Sequence, residues 1–95
     1  MTAKDGRSEE LAGLLLQAAE DLADEPGCLL YLINRQQDAP DTIWVTEMWR
    51  SREDLDAVLA RIRDSDQVSA SMALVASAEM VELDLLGGKG PRAAE

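Results

Sequence analysis

The densest apolar pattern lies at residues 42–50, TIWVTEMWR, which carries both tryptophans. Read as a strand, it sends Ile43, Val45, Glu47 and Trp49 to one face and Trp44, Thr46, Met48 and Arg50 to the other. Neither face is plainly polar, so both need cover. In a chain of 95 residues helices can cover one face, and a second copy of the chain is the simplest cover for the other. Residues 28–35 show the same two-sided character. Leu29, Tyr31, Ile33 and Arg35 share one face of that strand; Cys28, Leu30, Leu32 and Asn34 share the other. The polar residues 36–41, with Asp38, Pro40 and Asp41, predict a turn that joins the two strands as an antiparallel hairpin.

Helical spacing flanks the hairpin. Leu11, Leu14, Leu15, Ala18, Ala19 and Leu22 form one apolar stripe, with Ser8 as its expected N-cap and Pro26-Gly27 as its stop. A second stripe, Leu55, Val58, Leu59 and Ile62, follows Ser51, which is placed to cap it, with Glu53 and Asp54 in the first turn. Residues 64–71 read as a turn or short helix that residues 72–76 continue. In residues 79–86, Val81, Leu83 and Leu85 alternate with Glu82 and Asp84, which predicts the last strand. Residues 3–86 therefore read as one domain and residues 87–95 as a polar tail.

The order is helix, strand, strand, helix, strand. A ferredoxin-like α+β unit has one more strand at its start. Residues 1–4 can represent only the end of that strand. The hairpin and the final strand then face a gap, and unpaired backbone groups in such a gap are costly when buried. The expectation is about six to eight further residues of alternating apolar character ahead of Thr2, with Met1 not the natural start. The alternatives are a rearranged sheet or a strand donated by a partner chain.

Composition narrows the chemistry. The formal charge is −10, from 9 basic and 19 acidic residues, which repels phosphate backbones and anionic membranes; nucleic acid and membrane are not expected partners. Cys28 is the lone cysteine and lies in an apolar run, so it reads as a structural thiol. With no histidine, the chain has no His-based general catalysis and no His-ligated haem. The first residues lack a signal-peptide core and no apolar run is long enough for a membrane span, so the expected location is the cytoplasm.

The runs KDGRSEELAGLLL and EPGCLLYLINRQQDAPDTIWVTEMWRSREDLDAVLA resemble the antibiotic biosynthesis monooxygenase family. The matching elements are Gly6, Glu25-Pro26-Gly27-Cys28, Tyr31, Glu47-x-Trp49 and Ser51-x-Glu53-x-Leu55. The resemblance implies a homodimeric α/β barrel with a pocket between each sheet and its helices. It implies oxidation of a quinol or aromatic polyketide-type substrate by molecular oxygen, with no flavin, metal or other cofactor. Carried onto this chain, it makes Glu47 and Trp49 the catalytic candidates and Tyr31 and Trp49 the substrate-binding ones. Trp49 stacks on a flat ligand and Glu47 holds or accepts a phenolic proton.

Two departures from the family pattern stand out. Val58 and Ile62 occupy places where members commonly carry histidine, and most of the first strand is missing. Two functions follow: a cofactor-independent monooxygenase, or a non-catalytic dimeric module that binds a small ligand or serves as an accessory protein. For the candidate residues the alternative role is structural, with Trp49 and Tyr31 in the core and Glu47 paired to an arginine. The face bearing Leu30, Leu32, Trp44 and Met48 is the expected dimer contact.

Overall fold

The computed structural model describes residues 1–90; the end of the expected tail, residues 91–95, lies outside the described residues. The elements are β1 (Thr2–Ala3), α1 (Ser8–Asp21), β2 (Cys28–Gln36), β3 (Ala39–Trp49), α2 (Arg52–Ile62), α3 (Asp66–Ala73) and β4 (Val75–Ser77). The sheet order is β2-β3-β1-β4, every neighbour antiparallel. This is a ferredoxin-like α+β fold whose sheet does not close on itself. The short first strand is present, and Thr2 and Ala3 take the central place between β3 and β4.

The hairpin forms as the alternation predicts, with Ile33 opposite Val45 and Tyr31 opposite Glu47. Its turn is tighter than expected: Gln36 already pairs with Ala39, so Pro40 stands inside β3 next to a register shift, where a missing N–H is tolerated. Leu11 and Leu15 bury the stripe of α1 against Ala3, Ile43 and Leu74, and Ile33, Val45 and Val75 pack around them. Ser8 is the first helical residue and not the cap. Arg7 holds the cap position without a side-chain bond. Ser51 does cap α2, its Oγ accepting from the Asp54 N–H at 3.1 Å, and Ser65 caps α3 in the same way through the Val68 N–H at 3.2 Å. Of the α2 stripe, Val58 is buried but Leu59 is exposed.

The last strand is the main correction. It is Val75–Ser77, and residues 79–86 carry no regular structure. The cause is non-local. Only Thr2 and Ala3 are offered as partners, and they pair with Ser77 and Val75. Buried Leu74 then fixes the entry, its carbonyl accepting from the Lys4 N–H at 2.8 Å. Alternation in 79–86 cannot form a ladder where no partner strand lies beside it.

Candidate active site

β2 and β3 bring the three candidate side chains together. Tyr31 sits directly across from Glu47, and Trp49 is two residues further along the same face of β3. That face is the one that turns Ile43, Ile33 and Val45 toward the helices. The Trp49 indole Nε1–H donates to Glu47 Oε1 at 3.0 Å, which fixes the ring beside the carboxylate. Glu47 is exposed, and among the described residues it forms no ion pair; its recorded partner is the indole.

The Tyr31 hydroxyl is pushed up to about 12. Burial is the main cause, and the negative charges of Glu47 and Cys28 add to it. At neutral pH Tyr31 is therefore a neutral phenol, able to donate a hydrogen bond but not to act as a base.

Cys28 belongs to this group, against the expected alternation. It pairs with Trp49, whereas Leu30 pairs with Met48, so Leu29 is an extra residue in β2. The bulge turns Cys28 onto the Tyr31 side and leaves Leu29 exposed. Burial raises the Cys28 thiol, its hydrogen bond to the Leu30 carbonyl (3.7 Å) opposes this, and Glu47 and Glu25 add to the rise. It stays a thiol, a small neutral wall of the site. A bulge between two apolar residues leaves no mark on an apolar run, so periodicity could not have found it.

Gly27 supports the site from behind. It is buried, and a Cβ there would stand 2.5 Å from the Asp54 Cβ, so only glycine lets the start of α2 close on β2. Arg50 and Asp54 then lock this corner through two hydrogen bonds of 2.9 and 3.1 Å, which lower the Asp54 carboxyl. On the opposite face Trp44 (53 % exposed), Leu32 and Met48 are open, and the Trp44 Nε1–H donates to Gln36 Oε1 at 2.9 Å.

Two shallow cavities of about 140 Å³ each are present, and neither is lined by Tyr31, Glu47 or Trp49. One opens between Met1, Trp44 and Glu79; the other runs along α1 beside Leu16 and Ile33. The three candidates thus form an open patch on the chain. No group of His, Cys, Asp and Glu able to hold a metal occurs among the described residues, and no described helix is long and apolar enough to cross a membrane.

No curated protein matches the sequence. Two crystal structures share the fold. One, from Chloroflexus aurantiacus J-10-fl, is provisionally assigned as an antibiotic biosynthesis monooxygenase. It is 32 % identical with a TM-score of 0.80, over 95 % of this chain and 90 % of that one. The other, from Deinococcus radiodurans and assigned in the same provisional way, is 23 % identical with a TM-score of 0.69, over 87 % and 91 % of the two chains. The second shows likeness of fold alone. The antibiotic biosynthesis monooxygenase pattern itself matches residues 1–68, which contain β1 through α3's first residues and all three candidate side chains. With the fold, the hairpin register and this match in agreement, the chain belongs to the antibiotic biosynthesis monooxygenase family.

Proposed function

We propose that the protein is a homodimeric, cofactor-independent monooxygenase that oxidises a quinol or an aromatic polyketide-type substrate with molecular oxygen. The observation that carries this reading is the Tyr31–Glu47–Trp49 patch on one sheet face. Trp49 offers a flat ring for stacking. Glu47, exposed and outside any ion pair among the described residues, is the proton acceptor. Tyr31 donates to a substrate oxygen, since its own proton is held up to about 12. In the overall reaction an activated ring CH₂ and dioxygen give a ring carbonyl and water, or a quinol and dioxygen give a hydroxyquinone and water. All four electrons come from the substrate, so the protein's part is to orient the phenol, take its proton and exclude water. The open face with Trp44, Leu32 and Met48 supports the second copy, which buries what the helices leave exposed.

Dioxygen uptake with model quinols tests this. Uptake above the uncatalysed rate in air, its absence under argon, and its loss in Glu47→Gln support the proposal. A second reading is favoured by Val58, which stands buried as packing where the family commonly has histidine. On that reading the patch binds a small aromatic ligand without turnover. Saturable quinol binding with no dioxygen uptake would select it.

A further inference from the structure

The charges that act on the Tyr31–Glu47–Trp49 patch are of one sign. Glu47 accepts the Trp49 indole N–H at Oε1, 3.0 Å away, and its second oxygen, Oε2, has no hydrogen bond among the described residues. Each described arginine is already taken by a carboxylate. Arg61 reaches Glu25 at 3.1 Å and Arg50 reaches Asp54 at 2.9 Å. Arg35, on the Tyr31 face of β2, reaches Glu9 at 2.8 Å. The other described arginines, Arg7, Arg52 and Arg63, have carboxylate partners too. Lys4 follows β1, which runs toward the start of β3 and away from Glu47.

The start of α2 offers an anion nothing either. It carries Glu53 and Asp54 in its first turn, and Ser51 Oγ already accepts from the Asp54 N–H. Tyr31 and Cys28 register the outcome. The charge of Glu47 pushes both up, that of Glu25 adds to the rise at Cys28, and no described cation pulls either down.

We propose that the patch selects its ligand by charge: it takes a flat ring in its uncharged form, the quinol with its proton on, and refuses rings that carry a carboxylate, sulfonate or phosphate. This rests on reading the patch as the substrate site. Tyr31 and Glu47 are opposite residues on the ladder, a spacing of about 5 Å between side-chain bases. A ring stacked on Trp49 and held by the Tyr31 hydroxyl therefore lies beside the Glu47 carboxylate. A second negative charge there is repelled, with no unpaired arginine among the described residues to offset it. A phenolate already formed in solution is refused in the same way, so the ionisation is made in place. The phenol proton passes to Glu47 Oε2 and the O–H bonding pair stays on the ring oxygen, to which Tyr31 donates. The patch carries one negative charge before the transfer and one after it. The carboxyl, now neutral, no longer repels the ring.

Three naphthalene probes of similar shape test this, bearing a hydroxymethyl, a sulfonate or an aminomethyl group at the same ring position. Affinity is read from the displacement of the Trp49 indole N–H resonance, identified by its loss in Trp49→Phe. At low salt the sulfonate should bind at least about tenfold more weakly than the alcohol, and the ammonium no more weakly than the alcohol. Salt at about 0.5 M should shrink the sulfonate deficit. Glu47→Gln, at an exposed position, should bring the sulfonate to within about twofold of the alcohol. A sulfonate that binds the parent protein as tightly as the alcohol overturns the proposal, and so does a deficit that Glu47→Gln leaves unchanged. If no probe moves the Trp49 resonance, the selectivity and the assignment of the patch fall together. Dioxygen uptake is scored apart: the charge order without uptake rejects turnover and supports the selectivity.

Discussion

Tyr31 and Glu47 face each other across the β2–β3 ladder, and the carboxylate of one adds to the burial that keeps the hydroxyl of the other protonated. A raised folded-state value has a definite sign. The unfolded chain ionises this hydroxyl near its ordinary value of 10, while the folded chain holds the proton to about 12. The stability this group contributes is therefore intact below about pH 10 and is lost as pH rises toward 12, because the folded state binds more protons across that window. Denaturant midpoints measured from pH 9 to 12 should fall, and Tyr31→Phe should remove this component of the fall. Glu47→Gln should lower the tyrosine titration midpoint only in part, since burial is the larger cause. A spectrophotometric titration reads this directly.

Trp49 and Trp44 are on opposite faces of one strand and should respond differently. Trp49→Ala should weaken binding of flat aromatic ligands by more than about tenfold, the loss of one stacking contact of about 1.5 kcal/mol. Trp44→Ala should leave that affinity nearly unchanged. Equal losses of affinity in the two variants, measured by ligand fluorescence quenching, would count against the assignment of faces.

Trp44→Glu places a charge in the centre of the open face, where Leu32 and Met48 flank it on the hairpin. Sedimentation velocity at micromolar concentration should show a dimer for the parent and monomer or aggregate for the variant. A soluble variant dimer with unchanged mass would exclude this face as the contact.

Gly27→Ala tests the corner behind the site. The added Cβ meets the Asp54 side chain and not open space, so α2 must shift. Overpacking of this kind costs about 1–3 kcal/mol, readable as a lower urea midpoint. Ser51→Ala, which removes the cap on the Asp54 N–H, should cost about 1 kcal/mol on the same scale.

The hairpin was legible because its side chains alternate over a long stretch and only one register buries Ile33, Ile43 and Val45 together. The pairing of Tyr31 with Glu47 and the nearness of Trp49 follow from that register. The last strand was not legible, because its position depends on what β1 offers more than on its own pattern. Residues 79–86 have the better strand sequence, yet residues 75–77 lie where Thr2 and Ala3 can reach. Ser8 misled for a different reason: cap preference is local, and Arg7 takes the cap position after Gly6, whose φ of +73° suits glycine. The openness of the site was equally hidden. Pocket shape depends on how far α2 stands from the sheet, and no residue spacing encodes that distance.

The bulge at Leu29 lets β2 absorb a kind of change that substitutions do not mimic. Upstream of it, side chains obey one parity; downstream, the other. Deleting Leu29 would remove the extra residue and restore strict alternation while leaving Cys28 opposite Trp49, on the Tyr31 side. In this strand a single-codon deletion at the bulge keeps every wall of the candidate site, whereas the same deletion in a strand without a bulge turns the residues before it to the opposite surface. Divergence among chains of this design can therefore proceed by indels in β2, and a comparison that counts only identities would miss the event.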